Sequence, residues 1–145
     1  MQTGGAAATV PVMIDPALTG RLTFRHRLPS LPALPALPPG RHNLGLFAER
    51  DYVIVVPEGL AADVPAPLMV LFHGGGGSAE KILPHLEAHA RANRFLLLAP
   101  QSLMPTWDIV IAGNGPDRER LDTALGWVAD RFLINPDRLA FAGHS

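Results

Sequence analysis

The chain contains no cysteine. That absence removes disulfides, thiolate metal sites and cysteine nucleophiles together, so any nucleophile must be another residue type. Charge is also scarce. Charged residues make up 17% of the chain, against about 25% in an average soluble domain, while 48% are apolar, so the sequence is built to bury surface and wholesale disorder is excluded. Twelve Lys plus Arg against thirteen Asp plus Glu leave a net charge of -1, which supplies no broad positive field for phosphate backbones or anionic lipid. Nucleic acid is therefore not an expected partner. No run reaches the roughly 18 apolar residues of a bilayer span. The N-terminus lacks a basic segment and is interrupted by Pro11, Asp15 and Pro16, so no signal peptide is recognised and the expected compartment is the cytoplasm.

What is present is organised by fourteen glycines and fifteen prolines, unevenly spread. Pro29, Pro32, Pro35 and Pro38 recur every third residue and are followed by Pro39 and Gly40, a pattern of semi-rigid polyproline character. Residues 1–40 are thus expected to be a flexible tail and proline-rich linker, in which Leu22, Phe24 and His26 form at most a stray strand. Past Gly40, apolar runs of strand length alternate with helix-period segments. Tyr52 to Val56 is β-branched and ended by Pro57, while Leu68–Phe72, Phe95–Ala99 and Leu139–Ala142 are continuously apolar, as parallel strands covered on both faces are. Leu121, Leu125, Val128 and Phe132 form one helical stripe, begun near Pro116 and expected to stop at Asn135-Pro136. Ile82, Leu86 and Ala90 form another, with a turn from Ser78 and a helix expected to begin near Pro84. The grammar is α/β with a mainly parallel sheet and helices on both faces.

Ligands of such sheets bind at the carboxyl ends of the strands, so the strand exits are where chemistry is expected. One exit reads His73-Gly74-Gly75-Gly76-Gly77-Ser78, in which uncovered backbone N–H groups suit either a phosphate or the oxyanion of acyl transfer. Gly74, Gly76 and Ala79 satisfy a loose dinucleotide pattern. The next strand, however, exits into Pro100-Gln101-Ser102 with no carboxylate for a ribose, and no Lys precedes Ser78 as a Walker loop requires. No cofactor is expected. The last exit, Gly143-His144-Ser145, is the first half of G-x-S-x-G, whose sharp turn lifts a serine above the sheet and whose glycine avoids a collision in the elbow. His85 and His89 lie one turn apart, but Glu87 is off the H-E-x-x-H register, so a solvated helix face is the reading and no metal site is expected.

The stretches PLMVLFHGGGGS, LLLAPQS with Thr106-Trp107-Asp108, and NPDRLAFAGHS together resemble the N-terminal half of an α/β-hydrolase. The similarity is greatest to serine esterases of the phospholipase/carboxylesterase and polyhydroxyalkanoate-depolymerase-like families. The resemblance implies Ser145 as nucleophile and the N–H groups of Gly75 and Gly76 as oxyanion donors, with His73, Gly74, Gly143 and His144 supporting loop and elbow. It also implies hydrolysis of a small-molecule carboxylic ester through an acyl-enzyme. Trp107 and Asp108 read either as substrate-pocket residues or as a packing tryptophan and a turn acid. The second donor would follow the serine, and the acid and histidine come later still in this fold. Residues 41–145 are accordingly expected to be a hydrolase domain truncated at its nucleophile elbow, inactive alone. The other class of function weighed is a non-catalytic fragment or interaction module that uses the glycine loop or the proline ladder to hold a partner.

The uninterrupted gene is expected to continue past the Ser145 codon with a small residue and Gly, then an acid, then a histidine. Sequencing downstream checks this, and a coding sequence ending naturally at 145 would sink the claim that this polypeptide is itself an enzyme.

Overall fold

The structure, a computed structural model, describes residues 31–111 and 115–144. The proposed nucleophile Ser145 and the segment containing Leu22, Phe24 and His26 lie outside the described residues. In chain order the elements are β1 (Gly40–Asn43), β2 (Val53–Val56), β3 (Ala66–Phe72), α1 (Ala79–Ile82), a 3-10 turn (Leu83–His85), α2 (Glu87–Asn93), β4 (Leu96–Ala99), α3 (Asp108–Ile111), α4 (Pro116–Ala129) and β5 (Ile134–Gly143).

The five strands form one sheet in the order β1-β2-β4-β3-β5. Parallel pairing is confined to β3 with β4 and β3 with β5, whereas β2 pairs antiparallel with both β1 and β4. The sheet is thus mixed, not mainly parallel. All four residues of β2 are buried although it runs antiparallel, because an uninterrupted apolar run reports burial on two faces and carries no information on strand direction.

Alternation along the strands divides the core in two. Ile54, Val56, Leu68, Val70, Leu96 and Leu98 point to the face covered by Ala124, Leu125 and Val128 of α4. Val53, Val55, Leu71, Leu97 and Ala99 point to the other, covered by Ala79 and Ile82 of α1, Leu83, and Ala90 of α2. The expected helices on both faces are present. Their placement follows from connection handedness: β3 to β4 and β4 to β5 step across the sheet in opposite directions, so right-handed crossovers put their helices on opposite sides.

Two helix boundaries differ from the sequence expectation. Ser78 caps α1 by accepting the Lys81 N–H at 3.2 Å, so the helix begins at Ala79, and Pro84 converts it into the 3-10 turn before α2 starts at Glu87. Likewise α4 ends at Ala129, well before Asn135-Pro136. Those two residues belong to β5, where Ala66 faces Ile134 but Leu68 faces Leu139. Pro136, with no N–H for the ladder, falls in this irregularity, and Asn135 Oδ1 accepts the Asp137 N–H at 2.9 Å. The described part of the proline ladder lies along the body: the Leu34 N–H donates to Asp130 O at 2.8 Å, and Leu37 packs on the α4-side core. Among the described residues no helix is long and apolar enough to cross a membrane.

Tyr52, the only tyrosine of the chain, is fully buried, with its ring 5.2 Å from Phe47 and its hydroxyl without a hydrogen-bond partner among the described residues. Burial is the largest cause of a phenol pushed up to about 12, the Arg120 guanidinium acting in the opposite sense. The folded state therefore holds the phenolic proton more tightly than the unfolded chain does. This stabilisation is complete below pH ~10 and lost between about 10 and 12, a total of order 2–3 kcal/mol. Tyrosinate absorbance is expected to rise near pH 12 together with loss of secondary structure, and a simple transition near pH 10 in the folded protein would contradict this.

Candidate functional site at the carboxyl edge of the sheet

The glycine loop and the Gly143-His144 segment are far apart in sequence but leave neighbouring parallel strands. Phe72 of β3 faces Gly143 of β5, and the His144 N–H donates to Phe72 O at 3.1 Å. Both exits consequently open on the same edge, side by side.

His73 organises this edge and is 3% exposed. The Ser102 backbone N–H, which can only donate, points at His73 Nε2 at 3.2 Å, and Gln101 Nε2 approaches the same atom at 3.1 Å. Nε2 must therefore carry the lone pair. The ring proton then sits on Nδ1, which donates to Gly74 O at 2.7 Å. With both nitrogens engaged, His73 is not available as a base. Ser102 Oγ also lies 3.2 Å from Nε2, which on distance alone would suggest a nucleophile and base, but Ser102 is fully buried and its hydroxyl proton is donated to Met104 O.

Gly74 O accepts two donors, His73 Nδ1–H and the Gly77 N–H at 2.9 Å. Because the Gly74–Gly75 peptide is planar and trans, holding that carbonyl inward turns the Gly75 N–H the opposite way. Gly75 is exposed, its N–H has no acceptor among the described residues, and a Cβ there would meet nothing within 4 Å. It is a free, aimed donor. The expected second oxyanion donor, the Gly76 N–H, is by contrast already engaged, donating to Pro105 O at 2.7 Å. Gly76 instead supplies the turn, with φ +69.

Trp107 is fixed to the same loop. Its Nε1–H donates to His73 O at 2.8 Å, and its ring lies 4.7 Å from that of His73 and 5.2 Å, edge-on, from that of Phe72. Asp108 acts as a turn acid: Oδ2 accepts the Asp117 N–H at 2.7 Å, capping the start of α4, while Asp117 Oδ2 accepts the Asp108 N–H at 3.0 Å. Both residues also line a predominantly apolar cleft of about 400 Å³ with Phe72, Ile109, Val110 and Leu121. Trp107 and Asp108 thus pack as a tryptophan and a turn acid while also lining this cleft.

The exit that offered least in sequence, Pro100-Gln101-Ser102, holds the glycine exit in place. Gln101 Oε1 accepts the Ala79 N–H at 2.8 Å, its Nε2 reaches His73, and Ser102 sets the His73 tautomer. Both residues belong to the LLLAPQS stretch, but nothing in it indicates this role beyond two polar residues directly after a buried strand. Arg50, also unmarked, has φ 53 and donates from Nε to Ser102 O and from Nη2 to Met104 O at 3.3 Å. A left-handed non-glycine costs about 1–2 kcal/mol, and here the Arg50 carbonyl is held by Arg120 Nη2 at 2.6 Å.

At the elbow, the Gly143 requirement is not explained by the neighbours described. A Cβ there would meet Phe72 Cβ at 3.7 Å and Phe72 O at 3.8 Å, ordinary contacts. His144 is exposed, with its ring 5.9 Å from that of His85. His85 and His89 are both exposed, and among the described residues no cluster of three His, Cys, Asp or Glu could hold a metal. Glu87 between them pairs with Arg41 and Arg91, and its carboxyl is held below the usual range first by the Arg41 hydrogen bond. The dinucleotide pattern also lacks its setting. The first N–H of α1 is taken by Gln101 and the Lys81 N–H by Ser78, so neither is free for a phosphate.

Compared with protein-family models and with curated protein sequences, the chain matches none.

Gly77 and Gly75 are expected to respond unequally to a methyl group. A Cβ at Gly77 would lie 2.9 Å from Gly74 O, the carbonyl that orients the loop, so Gly77→Ala is expected to destabilise by about 1–3 kcal/mol. Gly75→Ala is expected to stay within about 0.5 kcal/mol. Urea unfolding of both variants checks this, and equal midpoints would contradict it.

Proposed function

We propose that the chain carries the nucleophile and oxyanion part of a serine carboxylic-ester hydrolase site. The observation that carries this reading is the parallel pairing of β3 and β5 with Phe72 opposite Gly143, which brings the HGGGG exit and the strand leading to Ser145 to one edge. A hydrolase of this kind takes one oxyanion N–H from the loop after β3 and the other from the residue after the nucleophile. The free, aimed N–H of Gly75 suits the first role.

In the proposed reaction Ser145 Oγ forms a bond to the ester carbonyl carbon, and the carbonyl electron pair moves onto oxygen. That oxyanion accepts from Gly75 N–H, a contact of the type worth roughly 100- to 1,000-fold in turnover. Collapse breaks the bond to the alcohol, which leaves with a proton, and water then releases the acid. The resemblance assigns the proton transfers to a histidine oriented by an acid, both after Ser145 in chain order. His73 does not take that part, since neither of its nitrogens is free.

The cleft beside Trp107 and Phe72 suits the apolar portion of an ester, because its walls are mainly hydrocarbon.

An alkyl trifluoromethyl ketone tests the reading on the product of the uninterrupted gene, with the histidine and acid that the resemblance puts after Ser145. Addition of Ser145 Oγ to this electrophilic carbonyl should give a new 19F resonance and move the Gly75 amide proton downfield, and Ser145→Ala should abolish both. Identical spectra for the wild type and Ser145→Ala would refute the reading.

A further inference from the structure

Gly75 N–H is aimed by its own loop, but the loop is held from outside. Two bonds flank it. The Ser102 N–H fixes the His73 tautomer that anchors Gly74 O, and Pro105 O accepts the Gly76 N–H at 2.7 Å. Both holding groups belong to residues 102–105, an exposed segment apart from Ser102, with no regular structure to keep it in place.

That segment is fixed at three points. Asp117 Oδ1 accepts the Leu103 N–H at 2.8 Å, and the Arg50 guanidinium donates to two carbonyls, those of Ser102 and Met104. A planar guanidinium offers donors in a rigid fork, so two carbonyls on one turn can be gripped without rotating either. Arg50 reaches them from the loop between β1 and β2 through its left-handed backbone. Arg120 secures that backbone by donating to Arg50 O, and its guanidinium carbon lies 4.2 Å from the centroid of the Phe47 ring.

We infer that Arg50 is a positioning residue for the oxyanion donor, acting through the 102–105 segment on His73 and Gly76 to set the direction of the Gly75 N–H. It touches no reacting atom. The inference rests on the reading of Gly75 as the oxyanion donor, and it extends the site to a loop that precedes β2 and that no esterase motif in the sequence marks.

NMR of the isotope-labelled chain without ligand tests it. In the wild type, ring shifts of His73 should report a single Nδ1–H tautomer, and the Ser102, Gly76 and Gly77 amides should be protected from hydrogen exchange. In Arg50→Ala the tautomer should become mixed and those amides exchange about tenfold faster, the equivalent of one lost hydrogen bond, while the Ile54 and Leu97 amides keep their rates. Lysine supplies one donor group in place of the fork, so Arg50→Lys should fall between, at about threefold. A general loss of stability would instead accelerate core and loop amides alike.

Unchanged His73 shifts and loop exchange in Arg50→Ala would overturn the inference. If that variant does not fold, unchanged rates in Arg50→Lys would do so. The trifluoromethyl ketone response of the wild-type Gly75 amide is a separate readout. If that response is present without an effect of Arg50, only the positioning role falls. If Arg50 has its effect and Gly75 does not respond, the oxyanion reading falls and the positioning of the loop stands.

Discussion

The geometry of the edge depends on one proton, the one on His73 Nδ1. A backbone N–H cannot accept, so the approach of Ser102 N–H to Nε2 leaves that nitrogen only its lone pair. Nδ1–H then holds Gly74 O, and peptide planarity converts a held carbonyl into an aimed N–H on the next residue. Four glycines in a row would otherwise be among the most conformationally free segments a chain can contain. Their order is imposed from outside, by His73, Trp107 and the segment 102–105, each bound to the loop through backbone groups.

The sheet brings these parts together. Because β4 and β5 flank β3, the exits of all three parallel strands share one edge, with the glycine exit in the middle. One neighbour supplies Gln101 and Ser102, which fix His73. The other leads to His144 and the residue after it. The helices lie on the two faces, and the apolar cleft beside Phe72 and Trp107 lies at this edge.

Much of this was legible in the residues. The strands at Leu68–Phe72, Phe95–Ala99 and Leu139–Ala142 and the stripe from Leu121 to Phe132 are local signals, because apolar periodicity is local. Direction was not legible, since a buried antiparallel strand such as β2 reads like a parallel one. Proline misleads at both helix ends: Pro84 lies in a 3-10 turn after a helix that begins at Ala79, and Pro136 sits in a strand irregularity instead of stopping α4. Gly76 looked equivalent to Gly75, and only the partner of its N–H distinguishes them. Arg50 carries no motif, and Gln101 and Ser102, though part of the LLLAPQS stretch, give no local sign of their role, because their partners are backbone atoms or side chains distant in sequence.

By itself the sequence determined that an α/β sheet with helices on two faces forms, and that a glycine loop and a Gly-x-Ser leave two of its strands. These properties follow from local patterns of burial and from the chemistry of single residue types. Tertiary structure alone decided strand order, strand direction, the His73 tautomer and which glycine N–H is free. Each of these is set by hydrogen bonds between segments tens of residues apart, and the formation of such bonds depends on which strands become neighbours.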